Sequence, residues 1–541
     1  MKRFIAFALV LVCVMSFALP ARAQETEYAE ELTSSALVTD MAGFGKGLWM
    51  FDGRLDNSEV SSKNARLTLE SPIGIGSLYI IFDIECGPFT VTNEDDGNSV
   101  RCGDNQFLHQ FLDMEELFGM CPSSVSLQFG NENIRVNELE VFGPGEPPDH
   151  VQRWKEAPEG GVDLMLFSAH GDDEQLFMGG VLPYYAGEMG YEVLVSYMTA
   201  HRNFGNVRAH EMLDGLWAVG VTNYPIFGKL NDYPSRSMNA TYSGYAGRGI
   251  SEEDIIAPVV EQLRKYHPQV VVTHDVNGEY GHGMHMAWSD AVQKAVNASS
   301  DPGQYKDSVG EYGTWDVPKT YLHLYPEGEI VMDWDRPLEH FGGMTAYEVT
   351  KEKGFPAHAS QYYDFAWFMD GYDKAIDIPK FNPCYYGLYR STVGEDVEKN
   401  DFFEHLTSYA EQARLAEEQA QRDMEQELAD AQAEAAKAKE EAEQARREAE
   451  AARQEAAEAR KEQTAPAETV EPAVPVTETP TTEAAEPTQA SETTQVPTTQ
   501  PEQETAQSLD PAVIRLAVAG AVFLVLFIVL IGVIGKRKKK K

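Results

Sequence analysis

Residues 162–174 read VDLMLFSAHGDDE, and they decide the fold of the chain. The first seven are a short, nearly continuous apolar run, which is typical of a strand buried on both faces of a parallel sheet. A helix is expected over 174–189 and a second strand over 191–198, and later a helix over 252–266 precedes an apolar strand over 270–273. Strands that alternate with helices in this way predict an α/β domain with a Rossmann-like parallel sheet.

Polar clusters follow two of these strands. The residues AHGDDE at 169–174 begin where the first strand stops, and YGHGMH at 280–285 follows the strand that ends at Thr273. Ligands bind outside the carboxyl ends of the strands in such sheets, so we expect the two clusters to converge there. Taken alone, 172–174 would be an ordinary acidic first turn of a helix. The histidines at matching spacing elsewhere favour a functional site instead.

The residue types in these clusters point to metal-dependent hydrolysis. Imidazoles and carboxylates are ligands of divalent transition metals, and a set of two His and one Asp leaves positions open for water and substrate. Such an ion lowers the pKa of a bound water towards neutrality and polarises a carbonyl. A neighbouring carboxylate that is not a ligand can take the proton of that water.

Both clusters resemble motifs of the PIG-L and LmbE family of zinc-dependent de-N-acetylases. The first family motif is Ala-His-Pro-Asp-Asp-Glu after a strand, and the second ends in Gly-His-Pro-Asp-His. The similarity covers residues 162–358, and the segment 358–361 also fits. The chain departs from the family at two places. Gly171 replaces a proline, and Gly283-Met284 replaces Pro-Asp, so a carboxylate that could support His282 is missing.

The resemblance implies a role for each of eight residues. The implied roles are ligation of Zn²⁺, or of another divalent transition metal, by His170, Asp173 and His285; general base for Asp172; acid or electrostatic partner for His282; oxyanion support for Tyr280; and sugar contacts for Arg208 and Asp232. The implied reaction is the removal of acetyl from an N-acetylglucosamine-containing glycan or glycoconjugate. Two alternatives stay open: a stalked glycan-binding surface protein with an inactive deacetylase-like domain, and a metalloamidase acting on another amide.

A different domain is expected before the α/β domain, which we place at 151–405. Residues 24–148 contain short alternating stretches separated by turn residues, which predict a β-sandwich. The sequence NELEVFG at 137–143 resembles the last strand of a discoidin or galactose-binding-like domain. That resemblance implies a carbohydrate-binding role, and the alternative is a sandwich that only packs against its neighbour. Three cysteines in this region permit one disulfide without indicating the pair.

Two extended segments are expected after the α/β domain. Residues 406–463 contain no Gly or Pro, and alanines recur there at alternating spacings of four and three. This pattern predicts either a coiled coil, which would make a homo-oligomer, or a single charge-stabilised helix. Residues 464–510 are rich in Thr, Pro and Glu, a composition that predicts a disordered stalk.

The two ends of the chain predict its location. Residues 1–23 have the basic start, apolar run and small-residue cleavage site of a secretory signal peptide. Residues 516–535 carry no charge and are long enough to span a bilayer, and the basic residues 536–541 follow at once. Basic clusters stay on the cytoplasmic side. The sequence therefore predicts a single-pass cell-membrane protein with an extracytoplasmic N-terminal part and a short basic cytoplasmic tail.

The overall composition excludes two classes of protein. The chain of 541 residues has 86 acidic and 44 basic side chains, for a formal net charge of −42. Such a chain is repelled by nucleic acid. A mean hydropathy of −0.37 excludes a protein with many membrane spans.

Overall fold

The computed structural model describes residues 28–45, 47–200 and 207–462. The predicted signal peptide (1–23), the stalk (beyond 463), the membrane span (516–535) and the basic tail (536–541) lie outside these ranges. Among the helices within the ranges, none has both the length and the apolar character needed to cross a bilayer.

The first part of the chain forms two antiparallel sheets and one short helix. Their bounds are Leu37–Asp40 (β1), Glu59–Val60 (β2), Arg66–Glu70 (β3), Ser77–Phe82 (β4), Phe89–Asn93 (β5), Ser99–Cys102 (β6), His109–Asp113 (β7), Met114–Phe118 (α1), Ser124–Phe129 (β8) and Arg135–Phe142 (β9). The strand order is β1-β3-β8-β5-β6 in one sheet and β2-β9-β4-β7 in the other. Buried side chains of both sheets, such as Leu67 and Ile80, share one core. This arrangement is a β-sandwich.

The permitted disulfide does not form among the described residues. The four cysteines there, three in the sandwich and Cys384, all have free thiols. Cys384 is buried, and burial raises the pKa of its thiol to about 12. A thiol in such surroundings is inert as a nucleophile.

The second part of the chain is a mixed α/β structure, as predicted. Its strands are Leu164–Ser168 (β10), Val193–Tyr197 (β11), Val270–Thr273 (β12), Lys319–His323 (β13), Glu329–Val331 (β14) and Tyr385–Ser391 (β15). Its helices are Asp173–Leu176 (α2), Val207–Ala218 (α3), Met238–Ala246 (α4), Glu252–Tyr266 (α5), Gly283–Ser299 (α6), Lys306–Tyr312 (α7), Ala346–Val349 (α8) and Ala359–Phe365 (α9). The sheet order is β11-β10-β12-β13-β15-β14.

Two sequence-based expectations need correction here. The sheet is parallel only over β11, β10, β12 and β13, because β15 pairs antiparallel with both β13 and β14. The helix expected over 174–189 is interrupted. Its first turn is α2, and a separate π-helical turn spans Pro183–Glu188. Gly180 lies between them with a φ of 104°, a conformation that ends a regular helix.

Residues of β10 alternate between two cores. Leu164 and Leu166 belong to one apolar cluster, whereas Met165 and Phe167 belong to another that includes side chains of α5 and α6. Apolar side chains on both faces of the strand explain its continuous apolar run. Because β10 pairs with β11 on one side and β12 on the other, the strand order reverses between β10 and β12. In open α/β sheets, this reversal is where ligands bind.

A 54-residue helix, α10, spans Tyr409–Glu462. Its first turn is tied to the sheet, because the backbone N–H groups of Tyr409 and Ala410 donate to the carboxylate of Asp163, directly before β10. An acid at a helix N-terminus is stabilised by the free N–H groups there. Oligomerisation through this helix stays a prediction.

The sandwich packs against α3 and the loop after it through buried polar and aromatic contacts. Phe107 stacks on Tyr224 with ring centroids 4.1 Å apart. His109 Nε2 lies 2.8 Å from Nδ1 of His210 on α3, and the Tyr79 hydroxyl lies 2.6 Å from His109 Nδ1. Both histidines are buried. Burial lowers the pKa of His210 to about 4, and burial followed by the charge of His210 lowers the pKa of His109 well below 6.5.

This histidine pair predicts acid sensitivity of the folded state. A histidine held neutral gains a proton on unfolding below pH 6.5, so its contribution is complete above pH 6.5 and is lost as the pH falls towards 4. We expect the free energy of unfolding to fall across this window by about 1.4 kcal/mol per pH unit for each histidine. In the His210→Asn variant the dependence of the unfolding free energy on pH should become weaker by about 1.4 kcal/mol per pH unit, which corresponds to one proton. Urea unfolding at several pH values measures this dependence.

The matched control is His340→Asn, which changes an exposed histidine. Asp214, whose pKa burial raises to about 6, titrates in the same window and is common to all variants. If the unfolding free energy of His210→Asn depends on pH below 6.5 as steeply as that of the wild-type protein, His210 is not a source of the acid sensitivity.

Candidate metal centre

The two polar clusters meet at the carboxyl ends of β10 and β12. His170 lies in the turn between β10 and α2, and Asp173 is the first residue of α2. His285 lies in the first turn of α6, which begins just after the loop that follows β12. Phe167 and Thr273 are register partners at the ends of the two strands. Adjacent parallel strands therefore bring together residues that are about 110 positions apart in the chain.

Three side-chain atoms form a tight triangle. His170 Nδ1 and Asp173 Oδ2 are 2.9 Å apart, Asp173 Oδ2 and His285 Nε2 are 3.2 Å apart, and His285 Nε2 and His170 Nδ1 are 3.3 Å apart. Ligands of a tetrahedral zinc ion at 2.0–2.2 Å are separated by roughly these distances. His282 is a further candidate, because it offers a ligand atom within 4.8 Å of those of His170 and His285. The donor set therefore fits a divalent transition metal.

Charges in the triangle are strongly coupled. Burial would raise the pKa of Asp173, but His285 and His170 outweigh it and hold that pKa well below its usual value. Burial would lower the pKa of both histidines, yet the carboxylate raises that of His170 to about 9 and that of His285 to about 10. A cation is therefore favoured between these groups, and a metal ion can supply its charge in place of protons.

Glu279 organises the imidazoles around the centre. It is fully buried, and its Oε2 lies 2.8 Å from His274 Nδ1 and 2.7 Å from His285 Nδ1. Its Oε1 lies 2.7 Å from His323 Nδ1. Burial would raise the pKa of Glu279, but the histidines around it, His274 first, hold it well below the usual value. An ionised carboxylate only accepts hydrogen bonds, so each of the three imidazoles donates from Nδ1.

The second nitrogen of each of these three imidazoles has a different partner. His274 Nε2 accepts a hydrogen bond from the backbone N–H of Ala169, which occupies the lone pair that a metal would need. His285 donates from Nδ1, which leaves Nε2 as its ligand atom. His323 faces acceptors on both nitrogens, with Nδ1 2.7 Å from Glu279 Oε1 and Nε2 3.0 Å from the carbonyl oxygen of Asn382.

Asp172 and Arg208 form a pair beside the triangle. The Arg208 Nη2 lies 3.2 Å from Asp172 Oδ1 and also donates to the carbonyl of Gly171. Burial raises the pKa of Asp172, Arg208 opposes the rise, and Asp173 adds to it. Arg208, which we predicted to contact sugar, thus forms an ion pair with Asp172, the predicted general base. Its Nε is buried without a hydrogen-bond partner among the described residues.

Two further predicted residues, Asp232 and Tyr280, lie beside the candidate ligands. Asp232 Oδ1 lies 3.3 Å from His170 Nε2, which places this carboxylate on the far side of a candidate ligand. Tyr280 is half-buried at a φ of 45°, and its carbonyl accepts from Arg236 Nη1 at 2.7 Å. A non-glycine residue at positive φ stores local strain, which is typical of functional loops. The sugar contact predicted for Asp232 stays a prediction.

Among the described residues, no carboxylate is hydrogen-bonded to His282. Its Nδ1 is buried and has no hydrogen-bond partner among the described residues. Burial, followed by His285 and His170, lowers the pKa of His282 to about 3. Met284, where the family motif has an acid, is buried, and its Sδ accepts from the Tyr245 hydroxyl. His282 is therefore a neutral imidazole in this arrangement.

Sequence reasoning missed the central carboxylate of this site. Glu279 stands six residues before His285, directly before the segment that carries the second motif, and no spacing rule marks it. Its partner His323 comes from the end of β13, 44 residues away. Only the parallel pairing of β12 with β13 shows that the two are neighbours.

Part of the chain matches a known protein family. Residues 165–296 match the model of the PIG-L family, described as GlcNAc-PI de-N-acetylase, so the chain contains a PIG-L family domain. This match does not include the sandwich, and the resemblance of the sandwich to discoidin domains stays a prediction.

Proteins similar to the chain include named deacetylases. A 1D-myo-inositol 2-acetamido-2-deoxy-α-D-glucopyranoside deacetylase of Streptomyces scabiei is 26% identical over 320 residues, which are 50% of this chain and 95% of that protein. An enzyme of the same name from Geodermatophilus obscurus is 32% identical over 31% of this chain and 63% of its own length. The solved structure of N,N'-diacetylchitobiose deacetylase from Pyrococcus horikoshii covers 42% of this chain and 83% of its own, with 16% identity and a TM-score of 0.28.

The Glu279 network predicts the effect of one substitution on metal binding. In Glu279→Gln, the amide nitrogen faces imidazole or backbone N–H donors in either orientation, so at least one ring must change its protonation. We expect zinc affinity to fall roughly 10- to 100-fold, as is common for partners that orient metal ligands. Competition with a chromophoric chelator at constant pH measures this affinity directly.

The control variant is Asp275→Asn. Asp275 belongs to the same loop, and its carboxylate accepts from Asn277 rather than from an imidazole. Zinc affinity should stay within a few-fold of wild type in this variant. Equal affinity in Glu279→Gln and wild type, with both proteins folded, would show that Glu279 does not position the ligands.

Proposed function

We propose that the chain is a zinc-dependent hydrolase that removes acetyl from an N-acetylglucosamine-containing glycan or glycoconjugate. The observation that carries this proposal is the triangle of His170, Asp173 and His285 with the carboxylate of Asp172 beside it. The names of the relatives support the substrate class. Zinc is proposed because two imidazoles and one carboxylate suit it, and another divalent transition metal would fit the same donors.

The residues around the centre have separate tasks in this proposal. When bound, a divalent ion polarises the amide carbonyl and makes water acidic enough to react near neutral pH. Asp172 accepts the proton of the attacking water as a new bond forms to the carbonyl carbon. When the C–N bond then breaks, the protonated Asp172 returns that proton to the nitrogen, which leaves as a free amine with acetate as the second product.

Electrostatics in the site suit these proton transfers. The rise in the pKa of Asp172 caused by burial makes it a better base than an exposed aspartate, while Arg208 keeps it ionised and in place. A neutral His282 is suited to donating an N–H hydrogen bond to the developing oxyanion, together with the Tyr280 hydroxyl. The acid role expected for His282 from the family motif is therefore assigned to Asp172.

This mechanism predicts that Asp172→Asn loses catalysis and keeps the metal. We expect acetate release from N-acetylglucosamine glycans to fall roughly 100- to 10,000-fold, because the amide cannot accept the proton. Zinc content, measured on the same sample, should stay near that of the wild-type protein, because Asp172 is not a ligand.

The controls separate this mechanism from the other functions. Chelator treatment should abolish activity in the wild-type protein, and added zinc should restore it. Full activity in Asp172→Asn would refute the mechanism. Acetate release from simple N-acetyl amides but not from sugars would favour a metalloamidase of another specificity, and glycan binding without any hydrolysis would favour a binding protein.

We further propose that the chain is anchored in the cell membrane with its N-terminal part outside the cytoplasm. The support is the sequence of 1–23, the uncharged run 516–535 and the basic residues 536–541. The acidic stalk, with no basic residue over 464–510, would hold the enzyme away from the membrane surface.

This topology predicts the result of truncation. A chain that ends at Asp510 should be released into the medium as soluble protein, whereas the full chain should stay with membranes after an alkaline wash. Protease added to intact cells should cleave the full chain only if its N-terminal part is outside. Retention of the truncated chain in membranes would contradict the proposed span.

A further inference from the structure

Two large aromatic side chains in and just after α9 are exposed, and one of them, Trp367, is connected to the candidate centre by ring contacts. Tyr363 on α9 is 94% exposed, and Trp367, in the helical turn Ala366–Phe368 that follows, is 59% exposed. We refer to these two residues as the aromatic platform. An exposed tryptophan leaves a large apolar face in water, and exposed apolar surface beside a candidate active site is typical of a binding surface.

A chain of ring contacts connects the platform to the centre. The ring of Trp367 stacks on Phe368, with centroids 3.7 Å apart and an interplanar angle of 27°. Phe368 is buried, and its ring lies 5.9 Å from that of Tyr280. Tyr280 in turn lies 5.4 Å from the ring of His285. One buried phenylalanine therefore separates the exposed Trp367 from the residue proposed to support the oxyanion.

Packing below the platform holds it in place. Phe368 makes edge contacts with Phe177, at 5.1 Å, and with Phe381, at 5.7 Å. Phe177 belongs to the apolar core under β10. Trp367 thus presents its exposed face from a supported position, which lowers the conformational entropy that binding would cost.

The charge around the platform restricts the ligand. The sequence from Gly354 to Asp373 contains no lysine or arginine. Asp364 and Asp370 are exposed and flank Trp367 three residues before and after it. The positive charge in this region is Arg236, whose Cζ lies 6.0 Å from the centroid of the Tyr280 ring. The two carboxylates beside Trp367 itself would repel phosphate, sulfate or uronate groups, whereas neutral N-acetylated sugars and cationic amino sugars would not be repelled.

We propose that the aromatic platform binds the sugar ring adjacent to the one whose acetyl group is removed, in a glycan of neutral N-acetylated and cationic amino sugars. This inference rests on the proposed deacetylase function. The apolar face of a pyranose ring would pack flat on Trp367, and its hydroxyl groups would stay in water. The substrate is then an oligosaccharide or longer chain, and the platform favours it over a single sugar.

The test compares substrates of two lengths with the full chain. The probes are N-acetylglucosamine and its β-1,4-linked tetramer, and the measured quantity is kcat/KM for acetate release. In Trp367→Ala we expect a loss of roughly three- to tenfold on the tetramer, which is the range for one aromatic contact. Activity on the monosaccharide should change less than about twofold, because a single sugar does not reach the platform.

Two further variants separate stacking from general damage. Trp367→Phe keeps an aromatic face and should recover most of the activity on the tetramer. Val397→Ala trims an apolar side chain that is 72% exposed in the α/β domain and should leave both substrates unchanged. An equal loss on both substrates, or no loss on the tetramer, would overturn the platform.

Calorimetric titration of the tetramer into Asp172→Asn protein distinguishes failure of the platform from failure of the proposed function. If the wild-type protein releases no acetate from either probe, the deacetylase proposal fails. The titration is repeated with the double variant that also carries Trp367→Ala. A tetramer affinity that is three- to tenfold weaker in the double variant would still support sugar binding by the platform, and an unchanged affinity would overturn it. Sedimentation of the same samples tests whether a second copy of the chain binds to the platform instead of a sugar. If the protein is a dimer and Trp367→Ala makes it a monomer, the platform is a contact between two copies and the proposal is overturned.

Discussion

The candidate site depends on one buried carboxylate. Glu279 accepts hydrogen bonds from three imidazoles that belong to three parts of the fold: His274 after β12, His285 in α6 and His323 at the end of β13. Burying a carboxylate costs several kcal/mol unless partners compensate, and here every partner is itself buried. The three contacts hold these elements together and set the orientation of a candidate metal ligand at the same time. Stability and function are therefore coupled at this one residue.

Adjacent aspartates have opposite electrostatic environments in this site. Asp173 faces two imidazoles that stabilise its negative charge. Asp172 is buried beside Asp173, and burial raises its pKa although Arg208, and to a smaller extent His358 and His170, oppose the rise. The turn between β10 and α2 separates two chemically identical side chains, one suited to holding a cation and the other to accepting a proton. Pairs of titratable groups whose pKa values are pushed apart are a sign of divided acid and base roles. The resemblance to the family implied different roles for the two residues, and the fold supplies the physical reason, because it gives them different neighbours.

The sequence predicted those features that depend on local patterns of apolar and polar residues. The apolar runs at β10 and β12 and the polar residues directly after them place His170, Asp173 and His285 at one edge of a sheet. Patterns of this kind do not show the antiparallel pairing of β15, because its seven residues resemble any half-buried strand. Nor do they show Glu279 or the pairing of Arg208 with Asp172. Those contacts depend on the order of strands and on the path of α3, and residues from distant parts of the chain supply the partners.

Both departures from the family motif are explained by close packing against neighbouring helices. A Cβ atom at Gly171 would lie 2.4 Å from the side chain of Met212, which is buried on α3. This is the helix that carries Arg208 to Asp172. A Cβ atom at Gly283 would lie 1.9 Å from Ser235 Oγ and 2.8 Å from Thr241 Oγ1 of α4. The glycines allow both close approaches, and the next residue, Met284, lies in the apolar core between α4 and α6. A charged residue there would be buried among apolar side chains. The missing carboxylate is thus a consequence of how α4 packs on α6, and the triangle of candidate ligands is unaffected by it.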